Sequence, residues 1–277
     1  MAQKKMTRFP TFFISHGGGP WPWMQEELHG AYDRLAAALR RLPQDAGARP
    51  QAVLMVSAHW EEPEFTVQAH PQPGMIYDYS GFPEHTYHIR YPAAGSPALA
   101  RRSMELLADS GIPAREDAAR GFDHGMYAPM AVIYPEADMP TVQLSLQLGL
   151  DPRSHLAAGR ALAPLRDEGV LIVGSGLSYH NLRAFGPAAR QPSAAFDAWL
   201  DESLAATGPR RSAALTHWEQ APSSRQAHPR EEHLLPLMVA VGAAEDEQAL
   251  RTYHEDGFFG GISVSNWRFG PPSADRQ

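Results

Sequence analysis

The chain has 277 residues, a formal net charge of −7 and no cysteine, which excludes disulfides, zinc–thiolate sites and thiol catalysis. Hydrophobic residues make up 43% of it and no basic block occurs, so nothing in the composition indicates a nucleic-acid partner. No apolar run approaches the roughly 20 residues that span a bilayer, and no apolar segment follows the basic N-terminus. We therefore expect residues 1–277 to form a single domain that is large enough for an enzyme. We expect no membrane partner and a location in the cytoplasm.

Segments with strand and helix patterns alternate along the chain. The predicted strands are residues 11–15, 52–59, 65–69, 141–146, 170–174 and 261–266. The predicted helices are residues 26–42, 97–110, 128–134, 152–168, 193–206 and 228–241, and Pro236 predicts a kink or a delayed start in the last one. A long aromatic loop over residues 71–92 has the length of a functional loop. The alternation predicts an α/β fold with a central, mostly parallel or mixed sheet flanked by helices.

Histidines follow several of the predicted strands. Residues 52–56 form an unbroken apolar run, typical of a strand buried on both faces, and that strand ends in His59. His16 follows the first apolar run directly, and His180 comes shortly after the run that begins at residue 170. In open α/β sheets, ligands bind at the carboxyl ends of the strands. We therefore predict a metal or catalytic site at that edge of the sheet.

Two further histidines are candidates for the same cluster. His233 joins it if the turn of residues 229–233 folds over the sheet edge, and His124 lies between two glycines that permit a close approach to a ligand. In the absence of cysteine, imidazole and carboxylate groups must hold any metal. Taken singly, each histidine is a weak indication, because a structural hydrogen bond could also explain it, so the prediction depends on the set.

Seven sequence blocks in a fixed order suggest a family. They are ISHGGGP (14–20), VSAHWE (56–61), YDYSGFPEHTYHIRYPAAGSP (77–97), GFDHGMYAPM (121–130), VQLSL (142–146), VGSGLSYHNLR (173–183) and HPREEHLLPL (228–237). With these blocks the chain resembles the class III extradiol ring-cleaving dioxygenases, in particular the DOPA-dioxygenase-like branch, over nearly its whole length. The resemblance implies an oxidoreductase that opens a catechol-type, possibly DOPA-like, aromatic ring with O2 and gives a ring-opened semialdehyde.

The resemblance also implies a set of metal ligands. His16 and His59 correspond to two of the family's ligands, and His233 corresponds to the third. The wider family often has a glutamate as its third ligand, and Glu231 and Glu232 lie beside His233. The third ligand is therefore either His233 or one of these glutamates.

The resemblance also implies catalytic residues, and the aromatic loops offer candidates for substrate binding. His180 resembles the family's catalytic base, and in some zinc-filled relatives it also approaches the metal as an additional ligand. His124 resembles an acid/base group that contacts the substrate. Three aromatic residues of the loops are further candidates for substrate binding, namely Tyr77, Phe82 and Trp21.

The chemistry of ring cleavage indicates the cofactor. Three protein ligands leave about three positions of an octahedral ferrous ion free for the two catechol oxygens and O2. Fe(II) is therefore expected for activity, and Zn(II) can occupy the same ligands without passing electrons. Two rival functions use the same edge of the sheet: a zinc-dependent hydrolase, and a non-enzymatic metal-binding protein similar to Memo. The sequence does not distinguish a monomer from a homo-oligomer.

Overall fold

The computed structural model describes residues 8–271. Its strands are β1 (Thr11–Ser15), β2 (Ala52–Glu62), β3 (Phe65–Gln68), β4 (Ala114–Asp117), β5 (Thr141–Gln147), β6 (Val170–Gly176), β7 (Ala249–Phe258) and β8 (Ile262–Phe269). Its helices are α1 (Gln25–Leu28), α2 (Asp33–Asp45), α3 (Pro97–Asp109), α4 (His124–Ile133), α5 (Pro152–Leu162), α6 (Arg190–Ala205), α7 (Gly208–Thr216), α8 (Ser224–Ala227) and α9 (Leu235–Gly242).

The eight strands form one mixed sheet in the order β4-β3-β5-β2-β6-β1-β8-β7. The four central strands, β5, β2, β6 and β1, are parallel to one another. Antiparallel pairs join β3 to β5 and β8 to β1, and β7 pairs antiparallel with β8. The central strands are buried almost throughout because helices cover both faces. The predicted α/β fold with a mixed sheet flanked by helices is confirmed.

Strand β6 shows how the two faces are covered. The hydroxyl of Ser175 donates a hydrogen bond of 2.5 Å to the carbonyl of Gly125 in α4. A Cβ atom at the preceding residue, Gly174, would lie 2.3 Å from the carbonyl oxygen of Pro236 in α9. Because neighbouring residues of a strand point to opposite faces, α4 and α9 pack on opposite sides of the sheet. Glycine at position 174 lets α9 approach this closely.

Several helix boundaries differ from the predicted ones. The predicted helix over residues 26–42 is divided into α1 and α2 by His29 and Gly30, which both have positive φ angles. Helix α4 begins at His124 and not at residue 128, because the Asp123 side chain caps it by accepting from the backbone N–H of Met126. The predicted helix over residues 228–241 begins only at Leu235, the delayed start that Pro236 predicts.

Two strands and two helices of the structure have no counterpart in the prediction, namely β4, β7, α7 and the short α8. Strands β4 and β7 lie at the two edges of the sheet and are largely exposed or half-buried. Their sequences therefore lack the apolar runs that identified the central strands. Helix α7 begins with Gly208 and Pro209, which in sequence indicate a turn. Within residues 8–271, no helix has both the length and the apolar character needed to cross a membrane.

Candidate active site

Five histidines from five separate segments meet at the carboxyl edge of the central strands. The ring centroids of His16, His59 and His233 lie 4.8 to 5.2 Å from one another. The ring of His124 is 3.9 Å from that of His59, and the ring of His180 stacks at 3.3 Å on that of His233. The structure therefore brings together all five histidines that the sequence singles out.

An irregularity in β2 places His59. Val56 pairs with Leu144 of β5, and the next pair along β2 joins Glu61 to Leu146. The stretch between these pairs is longer on β2 than on β5, so β2 bulges there, and His59 lies within the bulge. Bulges of this kind change the direction of a side chain and are common beside active sites. The predicted strand ended at His59, whereas the strand continues to Glu62.

His233 is held against the end of β6. Its carbonyl oxygen accepts a hydrogen bond of 3.0 Å from the backbone N–H of Leu177. A Cβ atom at Gly176 would lie 2.1 Å from the same oxygen, so only glycine permits this contact. The segment before α9 therefore folds over the sheet edge, which is the condition under which His233 was expected to join the cluster.

A hydroxyl group sets the tautomer of His16. Ser175 Oγ uses its hydrogen on the carbonyl of Gly125, so it can only accept at its 3.2 Å contact with Nδ1 of His16. Nδ1 of His16 therefore carries the proton, and Nε2 keeps its lone pair. Nε2 of His16 lies 3.1 Å from Nε2 of His59.

Asp78 supports the histidines on one side of the cluster. Its Oδ1 accepts from the backbone N–H of His124 at 3.0 Å and from Nδ1 of the same ring at 2.8 Å, and its Oδ2 lies 3.5 Å from Nδ1 of His59. Burial opposes ionisation of this carboxyl, but the hydrogen bonds and the charge of the neighbouring imidazoles outweigh it and lower its pKa. Asp78 was not among the predicted site residues, because its only signal in the sequence is an acidic residue between two tyrosines of the aromatic loop.

Glu232 supports the other side of the cluster. Its Oε1 lies 2.9 Å from Nδ1 of His233 and 3.1 Å from Nδ1 of His180. This one carboxylate therefore holds both stacked rings and leaves their Nε2 atoms free. Glu231, the other glutamate considered as a ligand, forms an ion pair of 2.6 Å with Arg225 instead.

The buried imidazoles favour their neutral forms. Burial, together with the charge of the neighbouring rings, lowers the pKa of His16 and of His233 well below the usual range. The same causes lower the pKa of His59 to about 3. Neutral imidazole is the form that binds a metal ion. Two groups have potential ligand atoms within 4.8 Å of one another: His16, His59 and His124, and His180, Glu232 and His233.

The five imidazoles and the Asp78 carboxylate line a cavity of about 490 Å³. The predicted pocket residue Phe82 lines it, but Trp21 and Tyr77 lie outside it. Trp21 is buried beneath, where its Nε1 donates to the carbonyl of His16 at 2.7 Å. The hydroxyl of Tyr77 donates to the carbonyl of Ile89 at 2.7 Å, which holds that ring within the aromatic loop.

Comparison with known proteins identifies the family. Residues 9–269 match the model of the catalytic LigB subunit of aromatic ring-opening dioxygenase. The chain belongs to this LigB family. It is 39% identical to the 4,5-DOPA dioxygenase extradiol of Beta vulgaris, over 94% of this chain and 96% of that protein. It is 36% identical to the protein of the same name from Escherichia coli K12, over 95% of this chain and 96% of that protein.

A further relative and a solved structure agree with the LigB family assignment. The chain is 34% identical to dioxygenase tasH of Hapsidospora irregularis, over 97% of this chain and 88% of that protein. The crystal structure of an uncharacterized protein from Escherichia coli K12 superposes with a TM-score of 0.76 at 30% identity, covering 95% of this chain and 100% of that one. The protein is an aromatic ring-cleaving dioxygenase, which favours the dioxygenase over the hydrolase and the Memo-like alternatives.

Proposed function

We propose that the protein is an Fe(II)-dependent extradiol dioxygenase that opens the ring of a catechol and releases a semialdehyde. In that reaction one ring carbon–carbon bond breaks and both atoms of O2 enter the product. His16, His59 and His233 are the proposed ligands of the ion. The observation that carries the proposal is the pair of Nε2 atoms of His16 and His59, 3.1 Å apart.

This separation suits two ligands of one ion. Two nitrogens that each lie about 2 Å from a metal are roughly 3 Å apart. The Nδ1 atoms of the three proposed ligands face Ser175, Asp78 and Glu232, respectively. Ligand histidines commonly use their second nitrogen in this way, which fixes the ring and raises its basicity. The donor set of neutral imidazoles suits iron as well as zinc.

Glu232 is proposed as a positioning residue and not as the third ligand. Its Oε1 already faces Nδ1 of both His180 and His233. His233 lines the cavity, whereas Glu232 lies behind the two rings and does not. We therefore favour His233 over the neighbouring glutamates as the third ligand.

His180 is proposed as the base that takes a proton from the substrate. A bound metal lowers the pKa of the catechol hydroxyl and passes electrons between the ring and O2. Nε2 of His180 is the atom available to accept that proton, because Nδ1 faces Glu232 at 3.1 Å. The carboxylate then stabilises the imidazolium, as the aspartate does in a catalytic triad. His180 is not required as a ligand in this account.

His124 is proposed to return a proton during ring opening. Its Nδ1 donates to Asp78 at 2.8 Å, and its ring lines the cavity beside His59. Asp78 stabilises the charged form of this ring in the way that Glu232 stabilises the charged form of His180. The site therefore pairs each proposed proton-transfer histidine with its own carboxylate.

The test is ring cleavage by protein loaded with iron under anaerobic conditions. Its relatives are named for DOPA, so DOPA and unsubstituted catechol are the first compounds to test. On admission of air we expect stoichiometric O2 uptake and a yellow ring-opened product. His180→Gln should lower kcat by about 10²–10⁴-fold while the bound iron is retained.

Zinc-loaded protein and a surface variant serve as controls. The zinc form should bind substrate without consuming O2, because zinc cannot pass electrons. His88→Ala removes an exposed histidine outside the cavity and should match the wild type. If no catechol is cleaved by the iron form, or if the zinc form is active without O2, the proposal is wrong.

A further inference from the structure

The rest of the cavity wall, beyond the imidazoles and Asp78, is largely apolar. It is formed by side chains from four segments of the chain. These are Leu28, Tyr32, Tyr79, Phe82, Leu177, Leu182, Phe185, Phe258 and Phe259. Among the residues between 8 and 271 that line the cavity, there is no lysine or arginine. The one carboxylate in the wall is Asp78, and its oxygens face His59 and His124.

The apolar surface continues out of the cavity mouth. Leu182 is 72% exposed, Phe185 is 36% exposed and Phe259 is 40% exposed. The described part of the chain has five large hydrophobic side chains with this degree of exposure, so most of them surround this one opening. Single exposed apolar residues are ordinary, but a contiguous group at a cavity indicates a binding surface.

The backbone holds these side chains at the mouth. Phe259 has a φ angle of +47°, a conformation that is strained for a bulky residue and that persists only where the surrounding structure enforces it. Two residues later in the same turn, Gly261 packs against Gly186, and a Cβ atom at Gly261 would lie only 2.4 Å from the carbonyl oxygen of Gly186. The β7–β8 turn is therefore fixed against the loop that carries Phe185, and the rings of Phe185 and Phe259 lie 6.0 Å apart.

We propose that the preferred substrate is a catechol with a bulky, uncharged apolar substituent that lies against Leu182, Phe185 and Phe259. This inference rests on the proposed function, since it assumes that the catechol oxygens face the imidazoles. A substituent that points away from them toward the mouth lies against the apolar side chains of Leu182, Phe185 and Phe259. A carboxylate in that position would lose part of its hydration without gaining a cationic partner from the cavity wall. The relatives' substrate, with its charged amino-acid side chain, is then a poorer substrate here.

Two arginines that could meet a substrate carboxylate do not line this cavity. Arg90 lines a separate depression with Tyr91 and Pro92. Arg183 is exposed on the loop between Leu182 and Phe185, with its side chain outside the cavity wall. Arg183 is nevertheless the nearest cation in sequence to the mouth residues, so the test includes it.

The experiment compares kcat/KM for substrates that differ in one feature. Propylcatechol and dihydrocaffeate share a three-carbon chain and differ in its terminal carboxylate; phenylcatechol adds a bulky apolar group, and DOPA adds two charges. We expect kcat/KM for propylcatechol and phenylcatechol to exceed that for dihydrocaffeate and DOPA by at least about 10-fold. Phe185→Ala should lower the ratio of phenylcatechol to catechol kcat/KM by about 10-fold.

Further variants and the unsubstituted catechol make the outcome of this experiment decisive. Leu182→Ala should also lower the phenylcatechol to catechol ratio, whereas Leu148→Ala, which removes an exposed leucine outside the cavity, should not. Equal or better turnover of DOPA would overturn the inference, and its loss in Arg183→Ala would then identify Arg183 as the carboxylate anchor. Failure to cleave catechol itself would instead refute the proposed function, so the two failures are distinguishable.

Discussion

The two ends of the parallel strands both bury polar side chains, but they use them differently. Before the start of β6, the fully buried Arg166 donates one hydrogen bond of 2.6 Å from each of its three nitrogens, to Phe9, Ala243 and Glu247. At the carboxyl ends, the imidazoles are held through Nδ1, and their rings line a cavity. A buried group in which each nitrogen has a hydrogen-bond partner stabilises the fold, whereas one with an unused nitrogen is available for chemistry.

The largest loss of activity is expected when a proposed metal ligand at the carboxyl ends of the strands is removed. His59→Ala should abolish stoichiometric iron binding and lower activity by more than about 10³-fold, because the ion supplies several kcal/mol of transition-state stabilisation. Metal analysis and O2 uptake on the same sample measure both effects. The exposed His88→Ala is the control. Full iron content in His59→Ala would contradict the assignment of this ligand.

The matching change at the other end should affect stability and not chemistry. Arg166→Leu leaves two buried carbonyl oxygens without their donor and removes one of the two arginines that pair with Glu247, so we expect the free energy of unfolding to fall by about 3–5 kcal/mol. Urea denaturation measures it. Arg8→Leu is the control, because Arg8 pairs with Asp167 and Glu247 while it is 41% exposed, and its loss should cost below about 1 kcal/mol.

Measuring kcat of Arg166→Leu tests whether the buried arginine at one end of the strands affects the site at the other end. Folded Arg166→Leu, assayed at a low temperature, should retain the wild-type kcat because Arg166 lies far from the cavity wall. A loss of kcat in fully folded protein would show that the two ends are not independent. The comparison would then fail at its central point.

A smaller effect is expected for the carboxylate that supports two histidines. Glu232→Gln keeps the shape of the side chain but removes its charge from Nδ1 of His180 and His233. We expect metal affinity to fall by about 10–100-fold, as for other residues that orient metal ligands. Glu231→Gln changes the adjacent glutamate, which pairs with Arg225 away from the cavity. Equal metal affinities in these two variants would argue against the positioning role of Glu232.

The smallest effect concerns the pH dependence of stability. The hydrogen bonds from Arg160, of 2.5 Å each, outweigh burial and lower the pKa of Glu245. Because the folded pKa is below the unfolded one, this stabilisation is present above the unfolded pKa and is lost as pH falls through the folded pKa. Glu245→Gln should therefore be less stable than the wild type at pH 7, with a difference that shrinks on acidification.

Urea denaturation at a series of pH values measures this difference. The exposed Glu26→Gln removes one negative charge elsewhere and should show no comparable trend. A difference between Glu245→Gln and the wild type that stays constant from neutral to acidic pH would contradict the assigned role of the Arg160–Glu245 pair.

The sequence predicts the buried centre of this fold better than its edges. The apolar runs of β1, β2 and β6 are continuous because helices cover both faces, so these strands could be located. The edge strands β4 and β7 lack such runs because one side or one edge of each faces solvent. The break between α1 and α2 depends on the left-handed backbone of His29, which no periodicity indicates.

The same limit applies to the site. The five histidines could be selected because each follows or precedes a recognisable element. Asp78 was not predicted, and the choice between Glu232 and His233 stayed open. Their roles depend on which nitrogen of each histidine ring faces a carboxylate, which the sequence does not show. The apolar mouth of the cavity, including Phe258 and Phe259, was not predicted. It depends on the turn between β7 and β8, and β7 itself was not predicted.

The position of the bound metal ion is the most direct test of the proposed ligands His16, His59 and His233. Crystals of the iron-loaded protein, measured on both sides of the iron absorption edge, locate the ion by its anomalous scattering. We predict one peak, with Nε2 of His16, His59 and His233 each at about 2 Å from it. An ion held by His180 and Glu232 instead, or iron bound to none of these histidines, would contradict the account.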